Sequence, residues 1–94
     1  MIKSFKCKKT QILFEEYRCD KQFFEISKIA LIKLTMLDAA GILDDLRIPP
    51  ANRLEKLKGD RVNKYSIRIN DKWRVCFVFK NCEAYEVEIV DCHK

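Results

Sequence analysis

The segment KYSIRINDKWRVCFVFKNCEAYEVEIVD spans residues 64–91 and carries the clearest secondary-structure pattern of the chain. Apolar and polar residues alternate along three parts of this segment, which is the period of a β-strand with one buried face. Turn-forming residues separate the parts at positions 70–71 and 81–82. The middle part, residues 73–79, is the most apolar and is expected at the centre of the sheet. The segment therefore predicts an antiparallel meander.

Helical periodicity precedes the strands. Residues 2–5 are a short strand candidate, and Thr10 can cap a brief helix after it. Apolar residues then recur at three- and four-residue spacing over residues 21–40, which predicts one long amphipathic helix. Asp20 is its expected cap, and Gly41 is its expected stop.

The prolines divide the helical half of the chain from the strands. Pro49 and Pro50 end helical structure and predict an exposed connection over residues 42–52. Residues 53–57 alternate as a further short strand. The expected fold is α+β, in which a short N-terminal strand and two helices pack on one face of a twisted antiparallel sheet. One domain spanning residues 1–94 is expected, and the other face of the sheet is left for function.

Composition predicts a folded and basic protein. Hydrophobic residues make up 48% of the chain and charged residues 35%, which is enough apolar area for a core and argues against disorder. Nineteen Lys and Arg against fourteen Asp and Glu give a net charge of +5. This surplus favours polyanionic partners, nucleic acid first, although solubility alone would account for it equally well.

Cysteine usage and the N-terminus predict a cytoplasmic protein without a cofactor. The five cysteines contain no C-x-x-C pair, and an odd number cannot all pair within the chain, so reduced thiols are expected. No apolar signal core and no membrane-spanning stretch are present in the sequence, so no membrane partner is expected. Cys82, Cys92 and His93 lack a fourth ligand at a recognisable spacing, and no metal site is predicted.

Lysine and arginine side chains that could bind a phosphate group lie on the predicted strands and in the loops between them. RNA cleavage without a metal requires a base for the 2′-hydroxyl, cations for the phosphate and an acid for the leaving 5′-oxygen. Arg74 is prominent because a guanidinium in a largely apolar strand needs an anionic partner. A cross-strand salt bridge to Glu86 or Glu88 would meet that need without any function. The candidate phosphate ligands are Lys58, Arg61, Arg68 and Arg74.

Candidates for the acid and the base lie at the end of the chain and shortly before residues 58–61. His93 is the single imidazole of the sequence, and it follows Asp91 closely. An imidazole can gain or lose a proton near neutral pH, which suits an acid. Glu55 is the nearest substitute for a second histidine as base. A solvated tail for His93 and a solvated strand position for Glu55 are the plainer alternatives.

Short stretches spread along the chain form a recognisable set. They are IKSF (2–5), LDAA (37–40), RLEKLKGDR (53–61), YSIR (65–68), WR (73–74) and VDCH (90–93). Together they resemble the HigB-type toxins of the RelE/ParE superfamily, particularly the GraT-like branch, over nearly the whole chain. The set is specific, whereas each stretch alone is weak.

The resemblance implies a function as well as a fold. The fold would be RelE-like, and the activity would be degradation of mRNA in the A site of the small ribosomal subunit. A HigA-like helix-turn-helix antitoxin would silence the toxin, and DNA would be reached only indirectly through that antitoxin. Two alternatives remain open: a ParE-like toxin that binds DNA gyrase, and a catalytically degenerate module that only binds an antitoxin.

The resemblance also assigns residues. It places the family's catalytic lysine at Lys58, its transition-state arginine at Arg74 and its terminal acid, aromatic and histidine positions at Asp91, Cys92 and His93. The expected RNA contacts are Arg53, Arg61, Arg68 and Cys92. Glu55 stands where many members have histidine, and Cys92 cannot stack on a base as an aromatic ring can. These departures predict slower cleavage or a stronger dependence on the ribosome.

Overall fold

The structure of the protein is a computed structural model that describes residues 1–57 and 63–91. Within these residues, antiparallel strands form one sheet in the spatial order β1-β2-β3-β4. The strands are β1 (Glu55–Lys56), β2 (Lys64–Arg68), β3 (Trp73–Lys80) and β4 (Glu83–Asp91). The predicted meander is confirmed, and Val75 of the central β3 lies opposite Ile67 and Ile89. All three side chains are buried on the apolar face of the sheet.

The N-terminal segment lies beside β4 without forming a regular strand. Isolated parallel bridges at Ile2 and Phe5 join it to β4, so the strand predicted over residues 2–5 is reduced to two bridges. Between these bridges β4 bulges at Glu86, whose φ is 52° and whose N–H donates to Ser4 Oγ at 2.9 Å. A bulge interrupts the ladder at such a position, which explains the irregular pairing.

The first helix, α1, spans Lys8–Glu16. Thr10 therefore lies inside the helix, and the prediction that it caps the helix is wrong, because Cys7 occupies the cap position. Thr10 is fully buried, and its Oγ1 accepts a hydrogen bond from the Ile89 N–H at 3.1 Å. The hydroxyl satisfies a buried backbone donor of β4 and so fixes the helix to the sheet.

The single helix predicted over residues 21–40 is divided into two elements. A 3₁₀ helix spans Lys21–Ile26, and α2 spans Ser27–Ala39. Asp20 caps the first element, as predicted. The tighter turn places Phe23 and Ile26 above one another, since a 3₁₀ helix has three residues per turn, and both side chains are buried.

Both helices pack on the sheet face that carries Val75 and Phe77. Leu34 and Leu37 of α2 are fully buried in the same core. The prediction that the helices cover one face is confirmed, and the opposite face carries the polar side chains of β2 and β3. Among the described helices, none is both long enough and apolar enough to cross a membrane.

The connection between α2 and β1 contains buried polar structure. It forms two short 3₁₀ helices, Leu43–Arg47 and Pro50–Asn52. Leu46 and Asn52 are fully buried, so the exposed connection predicted over residues 42–52 is wrong at these positions. The Asn52 amide donates to the Leu46 carbonyl at 3.1 Å, and its Oδ1 accepts a hydrogen bond from the buried Lys33 ammonium. This network ties the connection to α2.

Asn52→Leu is expected to lower the free energy of unfolding by about 2–4 kcal/mol, because it leaves the Lys33 ammonium and the Leu46 carbonyl without their buried partner. The midpoint of urea denaturation at an unchanged slope measures the loss. The double variant Lys33→Met/Asn52→Leu should recover part of the stability, since it also removes the buried charge. Equal midpoints for Asn52→Leu and wild type would show that the network does not stabilise the fold.

Candidate active site

A cleft of about 570 Å³ lies on the sheet face opposite the helices. Ser66, Arg74 and Glu88 alternate along their strands with core residues, so their side chains point to this face. The lining residues are Lys6, Glu55, Leu57, Lys64, Ser66, Arg74, Cys76, Glu88, Val90 and Asp91. Cations, carboxylates and a hydroxyl therefore share one concave surface.

Arg74 is held in the cleft by contacts from β1, from β2 and from the chain that precedes β1. Its Nε donates to Ser66 Oγ at 2.9 Å, and its Nη2 donates to the Arg53 carbonyl at 2.8 Å. The same Nη2 lies 3.5 Å from Glu55 Oε1. The side chain of Arg74 is 14% exposed, whereas that of Glu55 is 62% exposed. The guanidinium is thus fixed at the wall of the cleft, with an accessible carboxylate beside it.

The carboxylate that lies 3.5 Å from Arg74 belongs to β1. The alternative of a salt bridge from Arg74 to Glu86 or Glu88 is wrong, because Glu55 is the carboxylate beside the guanidinium. Glu88 Oε2 lies instead 3.7 Å from Lys6 Nζ and 4.0 Å from Lys64 Nζ. The register explains the difference, since Glu88 is paired two residues farther along β3 than Arg74.

Asp91 lies at the end of β4 and lines the cleft. Its Oδ2 is 3.8 Å from Lys72 Nζ. The predicted site residues Lys58, Arg61, Cys92 and His93 lie outside the described residues. Leu57 and Asp91, the described residues that adjoin these two segments in the chain, both line the cleft.

Arg53 and Arg68 were predicted to contact RNA, and they occupy different places from Arg74. Arg53 has a left-handed backbone with φ 45°, and its carbonyl is the acceptor for Arg74. Arg68 lies opposite Arg74 in the β2–β3 register and forms an ion pair with Asp71. Neither side chain lines the cleft. Their contact with RNA stays a prediction.

Within residues 1–57 and 63–91, no group of three or more His, Cys, Asp or Glu side chains is arranged to hold a metal ion. Cys82 is exposed in the turn between β3 and β4. Cys92 and His93, the other possible metal ligands named from the sequence, lie outside this part of the chain.

Nearly the whole chain matches one family of known proteins. Residues 3–93 fit the family model described as RelE-like toxin of type II toxin-antitoxin system HigB. The chain belongs to this HigB-like toxin family. It is similar to Endoribonuclease HigB of Proteus vulgaris, with 34% identity over 94 residues, which cover 99% of this chain and 100% of that protein. It is also similar to Toxin HigB-1 of Vibrio cholerae serotype O1, with 44% identity over 62 residues. That match covers 66% of this chain and 64% of the Vibrio protein, just under two thirds of its length.

The cleft brings together the predicted catalytic residues that the structure describes. Glu55, Arg74 and Asp91 come from three different strands and line the same surface. The α+β, RelE-like architecture expected from the resemblance is confirmed in the described residues. The catalytic roles of all five candidates, including Lys58 and His93, stay predictions.

The cleft also contains residues that were not among the predicted site residues, including Lys6, Lys64 and Ser66. Lys64, Ser66 and Arg68 recur at every second residue along β2, so the two-residue period of the open face is a signal that identifies Lys64 and Ser66. Lys6 reaches the cleft because the N-terminal segment lies beside β4. No local pattern around Lys6 indicates that long-range contact.

Proposed function

We propose that this chain is a ribosome-dependent endoribonuclease that acts as the toxin of a type II toxin-antitoxin pair. Its substrate is mRNA in the ribosomal A site, its location is the cytoplasm, and residues 1–94 form one toxin domain. Family membership supports the proposal, as does the relative from Proteus vulgaris, whose name is Endoribonuclease HigB. The family match favours RNA cleavage over the gyrase-binding alternative.

The proposed reaction needs no metal. Glu55 accepts the proton of the ribose 2′-hydroxyl while the 2′-oxygen bonds to phosphorus. Arg74 and Lys58 stabilise the added negative charge on the pentacoordinate phosphate. The bond between phosphorus and the 5′-oxygen then breaks, and His93 in its acid form protonates the leaving oxygen. The products are a 2′,3′-cyclic phosphate and a 5′-hydroxyl.

The contact between Glu55 and Arg74 is the observation that carries the proposal. Glu55 Oε1 and Arg74 Nη2 are 3.5 Å apart on the wall of one cleft. The carboxylate is exposed enough to meet a ribose hydroxyl, and the guanidinium is fixed beside it. One phosphodiester can therefore contact the base and the cation together, which is the geometry that proton abstraction and charge stabilisation require.

A translating extract tests the proposed activity. Purified wild-type chain is expected to produce new mRNA ends in phase with codons, and omission of ribosomes should abolish the cuts. Arg74→Ala is the inactive control, and primer extension maps the ends. Intact mRNA with folded wild-type chain would contradict the nuclease proposal, and inhibition of DNA supercoiling under those conditions would favour the gyrase-binding alternative.

A HigA-like helix-turn-helix antitoxin is the proposed partner. The family description names a type II toxin-antitoxin system, which supports a protein partner of this kind. The antitoxin would carry the contacts with DNA, so DNA is reached by this chain only through its partner.

A further inference from the structure

Ser66 is a buried hydroxyl on the face of the sheet that carries the cleft. It lies opposite Glu55 of β1 and opposite Cys76 of β3, and only 1% of its surface is exposed. A serine side chain adds little apolar packing, and a hydroxyl buried to this degree needs a hydrogen-bond partner. The partner is Arg74, whose Nε donates to Ser66 Oγ at 2.9 Å. The buried hydroxyl is therefore a direct hydrogen-bond acceptor for the guanidinium.

This hydrogen bond fixes the plane of the Arg74 guanidinium. The group is a rigid fork of five N–H donors, and it binds a phosphate with two parallel hydrogen bonds only when one edge faces the oxygens. Ser66 accepts from Nε, and the Arg53 carbonyl accepts from Nη2 at 2.8 Å. Because the two acceptors bind different nitrogens of the guanidinium, they define both the position and the orientation of this planar group. Loss of either acceptor allows the plane to rotate.

We propose that Ser66 is a positioning residue for RNA cleavage, which holds Arg74 in the orientation that the pentacoordinate phosphate requires. The inference rests on the proposed nuclease function. Ser66 touches no reacting atom, so its effect passes entirely through Arg74. In its absence Arg74 keeps its charge and its contact with the Arg53 carbonyl, but its donors are no longer organised before the substrate arrives.

Ser66→Ala tests the proposal because it removes the acceptor without adding bulk. We expect kcat for mRNA cleavage to fall about tenfold to a hundredfold, with KM changed by less than about threefold. Ser66→Thr keeps the hydroxyl and should restore kcat to within about threefold of wild type. A purely structural role predicts instead a lower denaturation midpoint with kcat unchanged, and that result would overturn the proposal.

Proton exchange at Arg74 Nε gives a second readout that does not depend on activity. In ¹H–¹⁵N spectra the Nε–H of Arg74 should exchange slowly in wild type and in Ser66→Thr, and faster in Ser66→Ala. The backbone signals of the same spectra show whether each variant is folded. Equal exchange in folded wild type and folded Ser66→Ala would overturn the proposal even if cleavage could not be compared.

The failure of the proposed function and the failure of this inference are distinguishable. Absence of cleavage by folded wild type would overturn the nuclease function, and with it the role of Ser66 in the reaction. Cleavage by wild type that Ser66→Ala matches would overturn only the positioning role and leave the nuclease function intact.

Discussion

Arg74→Ala is expected to lower the rate constant of mRNA cleavage by about 10²–10³-fold, because the variant loses a preorganised donor group at the phosphate. Arg74 is held by Ser66 and by the Arg53 carbonyl before any substrate binds. The charge on the phosphate is greatest in the transition state, so the loss should appear in kcat more than in KM. Single-turnover cleavage of an mRNA on purified ribosomes measures it.

Two variants separate a local effect of Arg74 from an effect of net charge. Arg47→Ala removes the same charge from an exposed residue that pairs with Asp44 at 2.8 Å and does not line the cleft. It should cleave like wild type. The cleavage rate of Arg74→Lys should lie between those of wild type and Arg74→Ala. An ammonium keeps the charge, but it lacks the planar set of donors of the guanidinium and the Nε–H that donates a hydrogen bond to Ser66. Equal losses in Arg47→Ala and Arg74→Ala would attribute the effect to long-range attraction of RNA.

The sheet could be predicted from the sequence because its signals are local. Alternation of apolar residues along residues 73–79 and the turns on either side of them determine which side chains enter the core, and Val75 and Phe77 are buried accordingly. The same alternation places Arg74 on the opposite face. These features need no knowledge of distant residues, since the two-residue period is a property of the strand itself.

Features that depend on distant contacts could not be predicted in the same way. Thr10 resembles a helix cap in the sequence, yet its hydroxyl is used by Ile89 of β4, far along the chain. The carboxylate beside Arg74 comes from β1 rather than from β4, because the pairing of Glu55 with Ser66 brings it across β2. Charge complementarity alone made Glu86 and Glu88 equally suitable partners for Arg74. Only the register of the strands shows that Glu55 takes that place instead.

Glu55→Gln is expected to lower the cleavage rate by about 10²–10⁴-fold, because a carboxamide cannot accept the proton of the 2′-hydroxyl. The substitution keeps the length of the side chain and an oxygen that can face Arg74, so the position of the guanidinium should change little. Single-turnover cleavage on ribosomes again measures the rate. Glu16→Gln is the matched control, since Glu16 lies on α1, pairs with Arg18 at 3.8 Å and does not line the cleft.

Glu55 could act as the general base or only as the carboxylate that restrains Arg74, and the two roles predict opposite results for Glu55→Gln. If Glu55 only neutralises Arg74, then removal of its charge strengthens the attraction between the guanidinium and a phosphate, and Glu55→Gln cleaves as fast as wild type or faster. If Glu55 is the base, the rate falls, and Glu55→His should recover part of it because a neutral imidazole can accept a proton. The resemblance to HigB-type toxins implies a histidine at this position, so this variant also tests whether the departure at Glu55 preserves the function of the position. Cleavage by Glu55→Gln that exceeds wild type would assign Glu55 to the restraint of Arg74 and leave the base to another residue.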